Sequence, residues 1–248
     1  VSEALSCDGF LGGRVRAWQP VAGYRAATDP VFLAAACPAR AGDTVLELGC
    51  GAGVAALCLA ERVPGVGVTG VERQADYTDL ARRNAAENGV AMTIVAADLT
   101  TLPTDLRQRS FDHVIANPPY YGTGTAARDP GRDAALREDT PLADWVSVAR
   151  ARLRPKGWLT MIQAADRLPD CLTAMQNGFG AVTVLPLAPR KGRAAGRVII
   201  RARKGAAAPF RLLAPLVVHE GPEHTGDGDD FSTVARAVLR DGAGISMD

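Results

Sequence analysis

A chain of 248 residues, 47% of them hydrophobic, is long enough to bury a real core and to fold as one large α/β domain. Its 28 basic and 27 acidic residues leave a formal net charge of +1, which excludes a uniformly basic nucleic-acid binder, so any charge-driven partner must be met by local clusters. The five cysteines (Cys7, Cys37, Cys50, Cys58, Cys171) are odd in number and contain no C-x-x-C pair, which argues against a disulfide framework or a zinc site. A cytoplasmic location is expected, because no apolar run is long enough to span a membrane and no signal pattern opens the chain.

Residues 1–27 read as an irregular or hairpin-like lead-in, with Arg14, Arg16, Trp18, Tyr24 and Arg25 as its notable side chains. Thr28-Asp29-Pro30 then opens a helix: Thr28 or Asp29 is placed to cap it and Pro30 suits its first turn. Asp29 has a second role if that helix end borders a ligand pocket. Residues 44–48 form an apolar strand broken only by Glu47, followed by Gly49-Cys50-Gly51-Ala52-Gly53 and an Ala/Leu-rich helix to about Arg62. Strand, glycine turn and helix make a nucleotide-binding opening, in which the turn lets backbone approach a ligand and the helix N-terminus offers free N–H groups. The next strand, 66–71, ends at Glu72, about 20 residues beyond the turn, where an acid holds ribose hydroxyls.

Gly51-x-Gly53-x-x-Ala56 also satisfies the pattern of NAD-binding proteins. Three features favour S-adenosylmethionine instead: Glu47 ahead of the glycines, Asp98 closing the third strand (92–97), and the segment after the fourth. Glu47 reads either as a contact to the methionine end or as a buried acid satisfied by local backbone. Asp98 reads either as a contact to the adenine amino group or as a strand-end turn residue. An amphipathic helix over 74–88 stops at Asn88-Gly89.

The fourth strand, Phe111–Ala116, runs into Asn117-Pro118-Pro119-Tyr120. An aryl amine is a poor nucleophile because its lone pair is delocalised into the ring. Two acceptors, the Asn117 side-chain carbonyl and the Pro118 backbone carbonyl, can take both N–H bonds of one NH2, draw the nitrogen towards tetrahedral and free that lone pair. Successive prolines restrict the direction of the Pro118 carbonyl, and the Tyr120 ring can stack on the base. Asn117, Pro118, Pro119 and Tyr120 are the candidate catalytic residues.

Residues 122–139 form a Gly-rich insertion with Arg128, Arg132 and Arg137, a candidate substrate loop. A helix (141–153), a strand (158–163), a helix (165–176) and a strand (181–185) follow. Arg190, Lys191, Arg193, Arg197, Arg201, Arg203 and Lys204 then make a basic run without an acid. If 197–203 returns antiparallel beside 181–185, the turn lies at the carboxyl edge of the sheet, where Arg190, Lys191, Arg193 and Arg197 can meet RNA phosphates; a solvated turn is the alternative. Beyond Gly205 come an apolar segment (212–218), an acidic Gly-rich loop and a short helix near 231–239. His219 and His224 lack further ligands, so no metal is expected, and His113 reads as a structural strand residue.

The segments GYRAATDPVFLAAA, VLELGCGAGVAALCLA, GVERQ, NPPYY and PLVVHEG together resemble the bacterial tRNA(Val) adenine N6-methyltransferases over nearly the whole chain. The glycine motif is common to class I methyltransferases and NPPY to amino-group methyltransferases, so the lead-in and the tail carry the narrower likeness. The resemblance implies a Rossmann-like fold: a seven-stranded, mostly parallel sheet with one antiparallel strand and helices on both faces. It also implies S-adenosylmethionine as donor, S-adenosylhomocysteine as product, and methylation of the adenosine beside the anticodon of a tRNA. No obligate protein partner is expected. Carried onto this sequence, it places Glu47, Gly49, Gly51 and Gly53 on the methionine part, Glu72 at the ribose, and Asp98 with Leu99 at the adenine, with Cys50 and Arg73 as further cofactor-binding residues. Asn117 lies between cofactor and target, and Thr28 and Asp29 close the pocket.

The whole of 1–248 is then one methyltransferase domain, with a lead-in and helix (1–42), a Rossmann-like core (43–204) and a C-terminal extension (205–248). Protein glutamine N5-methyltransferases use the same grip but usually carry a helical domain ahead of the glycine motif, where only about forty residues stand here. Ribosomal-RNA guanine N2-methyltransferases are chemically nearer.

Overall fold

The computed structural model describes residues 4–120, 140–221, 223 and 229–248. The candidate substrate loop at 122–139 and His224 lie outside these residues. Strands β1 (Leu5–Phe10) and β2 (Val15–Pro20) form an antiparallel hairpin ahead of helix α1 (Asp29–Ala36). Then follow β3 (Thr44–Leu48), α2 (Val54–Arg62), β4 (Gly67–Glu72), α3 (Ala75–Glu87), β5 (Met92–Ala96), α4 (Thr104–Gln108) and β6 (Phe111–Ala116). After residue 140 come α5 (Leu142–Arg152), β7 (Leu153–Ala164), α6 (Leu168–Met175), β8 (Phe179–Ala188), β9 (Arg197–Lys204), β10 (Arg211–Leu212), β11 (Leu216–Val217) and α7 (Thr233–Leu239).

The order across the main sheet is β10-β8-β9-β7-β6-β3-β4-β5, with β11 also on β8. Within it β9 alone runs antiparallel, hydrogen-bonded to β7 on one side and β8 on the other. The expected seven strands are present, and the two-residue strands β10 and β11 follow one another along the outer edge of β8. The expected apolar segment at 212–218 is thus split in two, because Pro215 and its neighbours interrupt pairing.

Period-two alternation along the central strands sends successive side chains to opposite faces. Val45, Ile115, Ile162 and Ile199 pack beneath α1, α2 and α7, whereas Leu46, Val114, Met161 and Ile200 pack against α4, α5 and α6. Both faces are therefore covered, as a largely parallel sheet requires. Each of α2, α3 and α4 leaves from the carboxyl edge of a strand, which concentrates helix N-termini and loops on that edge. No helix among the described residues is long and apolar enough to cross a membrane.

The lead-in is docked by two asparagines one turn apart on and just after α3. Asn84 Oδ1 accepts from Trp18 N–H at 2.8 Å while its Nδ2 donates to the carbonyls of Trp18 and Ala52. Asn88 repeats the pattern on Arg16. The stop at Asn88-Gly89 therefore also extends the edge of β2, satisfying backbone groups that would otherwise be unpaired.

Candidate active site

The carboxyl ends of β3, β4, β5 and β6 line a cleft, open on one side and roofed by the loop that joins β2 to α1. Of the residues singled out from sequence, Glu47, Gly49, Cys50, Gly51, Glu72, Arg73, Asp98, Leu99, Asn117, Pro118, Pro119 and Tyr120 all line it. Gly53 sits behind the turn with φ +84°, capping α2 with its backbone carbonyl. Thr28 is exposed at the N-terminus of α1, outside the lining residues.

The acids organise the turn. Glu72 Oε2 accepts from Gly51 N–H at 3.0 Å and Oε1 from Gln74 N–H at 2.9 Å, so one carboxylate ties the glycine turn to the end of β4. Each oxygen keeps a lone pair for a further donor. Glu47 is buried and its Oε2 accepts from Ala56 N–H at 3.0 Å, a donor in the first turn of α2 that no local side chain caps. Glu47 is thus a buried acid satisfied by local backbone, and it also lines the cleft. Burial pushes its carboxyl up to about 8, the Ala56 bond opposes that, and neighbouring Glu72 adds to it. Asp98 caps the 3-10 turn after β5 by accepting from Thr100 N–H and Oγ1, and those bonds hold its carboxyl below the ordinary range.

Two glycines show why the turn tolerates no side chain. Gly49 has φ +63°, and a Cβ there would stand 2.6 Å from Trp145 Cη2. Gly51 has φ +52°, and its Cβ would meet only Tyr24 Cε1 at 3.9 Å, so backbone is bare towards the cleft. The indole Nε1 of Trp145 is buried and has no partner among the described residues. A glycine cradle, acids on β3, at the end of β4 and just after β5, and an unpaired donor suit a nucleoside bearing a cationic chain.

After β6 the Asn117 amide stands between two tyrosine hydroxyls. Its Nδ2 donates to Tyr24 Oη at 3.2 Å, and its Oδ1 accepts from Tyr120 Oη at 2.9 Å. The single proton of that Tyr120 hydroxyl is shared with Asp29 Oδ2, 2.5 Å from Oη, and Asp29 Oδ2 in turn accepts from Arg197 Nε at 3.1 Å. The Arg197 guanidinium lies over the Tyr120 ring, 4.3 Å from its centroid. Gln163 Nε2, buried at the end of β7, donates to the carbonyls of Pro118 and Pro119 at 3.3 Å each. Burial, with the charge of Asp29, drives both tyrosine hydroxyls above their ordinary range, so both stay protonated.

Three expectations change here. Neither Thr28 nor Asp29 caps α1 through its side chain; the Thr28 carbonyl accepts from Val31 and Phe32 N–H, which leaves the Asp29 carboxylate for Tyr120 and Arg197. Arg197, half-buried, is paired with that carboxylate and lies over the Tyr120 ring. Arg190 pairs with Asp230 and with the carbonyls of Glu220 and Gly221, leaving Lys191 and Arg193 as the exposed cations of the turn. The remainder of the basic run is elsewhere: Arg201, Arg203 and Lys204 lie towards the far end of β9, where Lys204 meets the Leu153 carbonyl at the start of β7. His219 bonds Asp230 at 2.6 Å and stacks on Phe231, and no metal-holding group of side chains occurs among the described residues.

Tyr24, Gln163 and Trp145 are site residues that sequence reasoning left without a role. Tyr24 was visible only as an aromatic near Thr28-Asp29, and it meets Asn117 across 93 positions.

A family model described as Methyltransferase small domain matches residues 28–188. A tRNA1(Val) (adenine(37)-N6)-methyltransferase of Porphyromonas gingivalis W83 is 34% identical over 155 residues, 59% of this chain and 61% of the relative. The chain thus spans about three fifths of that relative's length in the match. The enzyme of the same name from Dickeya chrysanthemi Ech1591 is 28% identical over 97% of this chain and 96% of its own. Among solved structures, a predicted O-methyltransferase, Atu636 of Agrobacterium tumefaciens, superposes with a TM-score of 0.72 at 27% identity, covering 88% of this chain and 98% of that one. The 16S rRNA N2 G1207 methyltransferase of Thermus thermophilus shares the fold at a TM-score of 0.56 and 22% identity, over 81% of this chain and 50% of that one.

Proposed function

We propose that this chain, which belongs to the Methyltransferase small domain family, methylates the N6 amine of an adenosine in tRNA, beside the anticodon. The observation that carries the reading is the juxtaposition of the glycine cradle with Asn117 and the Pro118 carbonyl at one sheet edge. The names of the relatives point to the same substrate. S-adenosylmethionine, when bound, supplies an electrophilic methyl group for direct displacement.

The chain's residues do the rest. Gly49, Cys50, Gly51 and Glu47 hold the methionine end, Glu72 and Arg73 the ribose, and Asp98 and Leu99 the adenine, with Gly53 fixing the helix behind them. Asn117 Oδ1 and Pro118 O each have a second lone pair beyond the Tyr120 and Gln163 bonds, and these accept the two N–H bonds of the target. Pro119 fixes the direction of that corner. One face of Tyr120 carries Arg197, so the base stacks on the other, recovering part of the stacking lost when it leaves its loop. Asp29 closes the site through Tyr120. The acceleration comes from alignment and from release of the amine lone pair. Lys191 and Arg193 meet RNA phosphates, and the chain acts as one domain in the cytoplasm.

The test is to methylate tRNA lacking the modification with labelled S-adenosylmethionine, cut it with a base-specific ribonuclease and identify the labelled fragment. N6-methyladenosine in the anticodon-loop fragment is expected. N2-methylguanosine in ribosomal RNA, or methylglutamine in a release factor, would move the function to one of the other amine substrates.

A further inference from the structure

Backbone pairing between β6 and β7 ends at Ala116 and Met161, and Pro118 and Pro119 have no N–H with which to continue it. The proline that follows Pro118 confines its ψ to a window of about 40°. A peptide plane swung across that window moves its oxygen by about 1 Å. A misplacement of that size near a reacting atom costs on the order of 10²-fold in rate. The prolines thus give the corner its general direction, and something further has to choose within the window.

Gln163 does so. Its Nε2 carries two protons and meets two acceptors, the carbonyls of Pro118 and Pro119, at 3.3 Å each. Its Oε1 accepts from Ala164 N–H at 2.8 Å. A half-turn of this amide would set its oxygen against two carbonyl oxygens and its NH2 against an N–H, so neighbouring backbone alone fixes which way it points. Every bond in the network joins neutral groups, and none depends on a proton that could sit on either partner. The side chain is wholly buried, and its backbone is anchored in the sheet, where Gln163 pairs with Val198 of β9.

We infer that Gln163 is a positioning residue for methyl transfer, which pins the Pro118 carbonyl by one lone pair so that the other faces the target amine. Gln163 is not among the described residues that line the cleft, so it acts through Pro118 rather than by touching cofactor or base. The inference rests on the reading of the Pro118 carbonyl as one of the two amine acceptors.

The deciding variant is Gln163→Met, which fills much the same space and has no donor. Its kcat should fall by about 10- to 100-fold, while the Kd for S-adenosylmethionine stays within about twofold. A binding comparison separates positioning from a merely structural role. With S-adenosylhomocysteine present, affinity is measured for tRNA carrying adenosine at the target position and for the same tRNA carrying purine riboside there, which lacks only the amine. Wild-type protein should favour the amine by about tenfold and the variant by about threefold or less, since one of two neutral hydrogen bonds is weakened. A structural loosening would lower both affinities alike and leave their ratio unchanged. An unchanged kcat, an unchanged ratio, or a loss confined to cofactor binding overturns the inference.

Gln163→Leu, apolar and shorter, guards against a misfit of the methionine side chain and should give the same loss of preference. A second readout needs no turnover. In crystal structures of wild type and variant, each with S-adenosylhomocysteine, the Pro118 oxygen of the variant should stand about 1 Å from its wild-type place. A corner that superposes on the wild type overturns the inference. If the wild-type protein methylates no tRNA, the activity reading fails while the two structures still decide the role of Gln163.

Discussion

Glu47 carries the most pH-sensitive property of the cleft, and its sign follows from its burial. The folded protein holds the proton up to about pH 8, whereas a solvated glutamate loses it near 4.5. Between those values the unfolded chain has released a proton that the native state keeps. Stability from this group therefore falls as pH rises through the window, by up to about 1.4 kcal/mol per pH unit, and levels off above it. Glu47→Gln, neutral throughout, should gain stability relative to wild type between pH 5 and pH 8 in urea titrations. A constant difference would mean that Glu47 is already ionised in the fold. If Glu47 faces the cationic end of the cofactor, binding at pH 7 should also release a proton, detectable by calorimetry in buffers of different ionisation enthalpy and abolished in Glu47→Gln.

At the level of elements, the strand–turn–helix opening and the corner after β6 were readable because their chemistry is local. Glycines, a following helix and an acid at the end of the next strand occupy fixed offsets, and prolines announce the end of β6 in the sequence itself. What escaped depends on contacts between distant positions. Tyr24 reaches Asn117 and Asp29 reaches Tyr120 only after the sheet forms, 93 and 91 residues apart. The 3-10 turn at Leu99–Thr101 and the five-residue helix α4 went unread because segments so short have no hydrophobic period to detect. β7 begins at Leu153, five residues before the expected strand, as Phe111 and Leu153 pair ahead of an irregularity in register. The glycine turn can be probed at Gly49, where Ala would combine a left-handed backbone with a Cβ 2.6 Å from Trp145. Gly49→Ala should cost about 2–4 kcal/mol in denaturant unfolding and weaken S-adenosylmethionine binding. A change below 0.5 kcal/mol would mean that α5 yields and that the packing of Trp145 on the turn is dispensable.

Across the whole molecule, charge is nearly balanced and must act through placement. The basic run that looked continuous from Arg190 to Lys204 is divided by β9, with Arg190 and Arg197 neutralised by Asp230 and Asp29 at the edge that holds the cleft. Exposed Lys191 and Arg193 are then the groups to remove. The double variant to alanine should weaken tRNA affinity most at low salt and lower the salt-dependence slope by about 1.5–2, as expected for two phosphate contacts. An unchanged slope would make the turn a bystander. Arg190→Ala belongs to a different class: its loss of Asp230 and two carbonyls should appear in stability before it appears in affinity.

The account stands on one event, transfer of a methyl group to an amine held by Asn117 and Pro118. Its most direct test pairs wild-type protein with Asn117→Ala in the same reaction, using labelled S-adenosylmethionine and total tRNA from a strain that lacks the enzyme. Nucleosides are then identified by mass spectrometry and cofactor affinity is measured alongside. The prediction is N6-methyladenosine from wild type, turnover lower by about 10² or more in the variant, and cofactor Kd unchanged between them. Label retained at full rate by Asn117→Ala, or label confined to ribosomal RNA or protein, would contradict it.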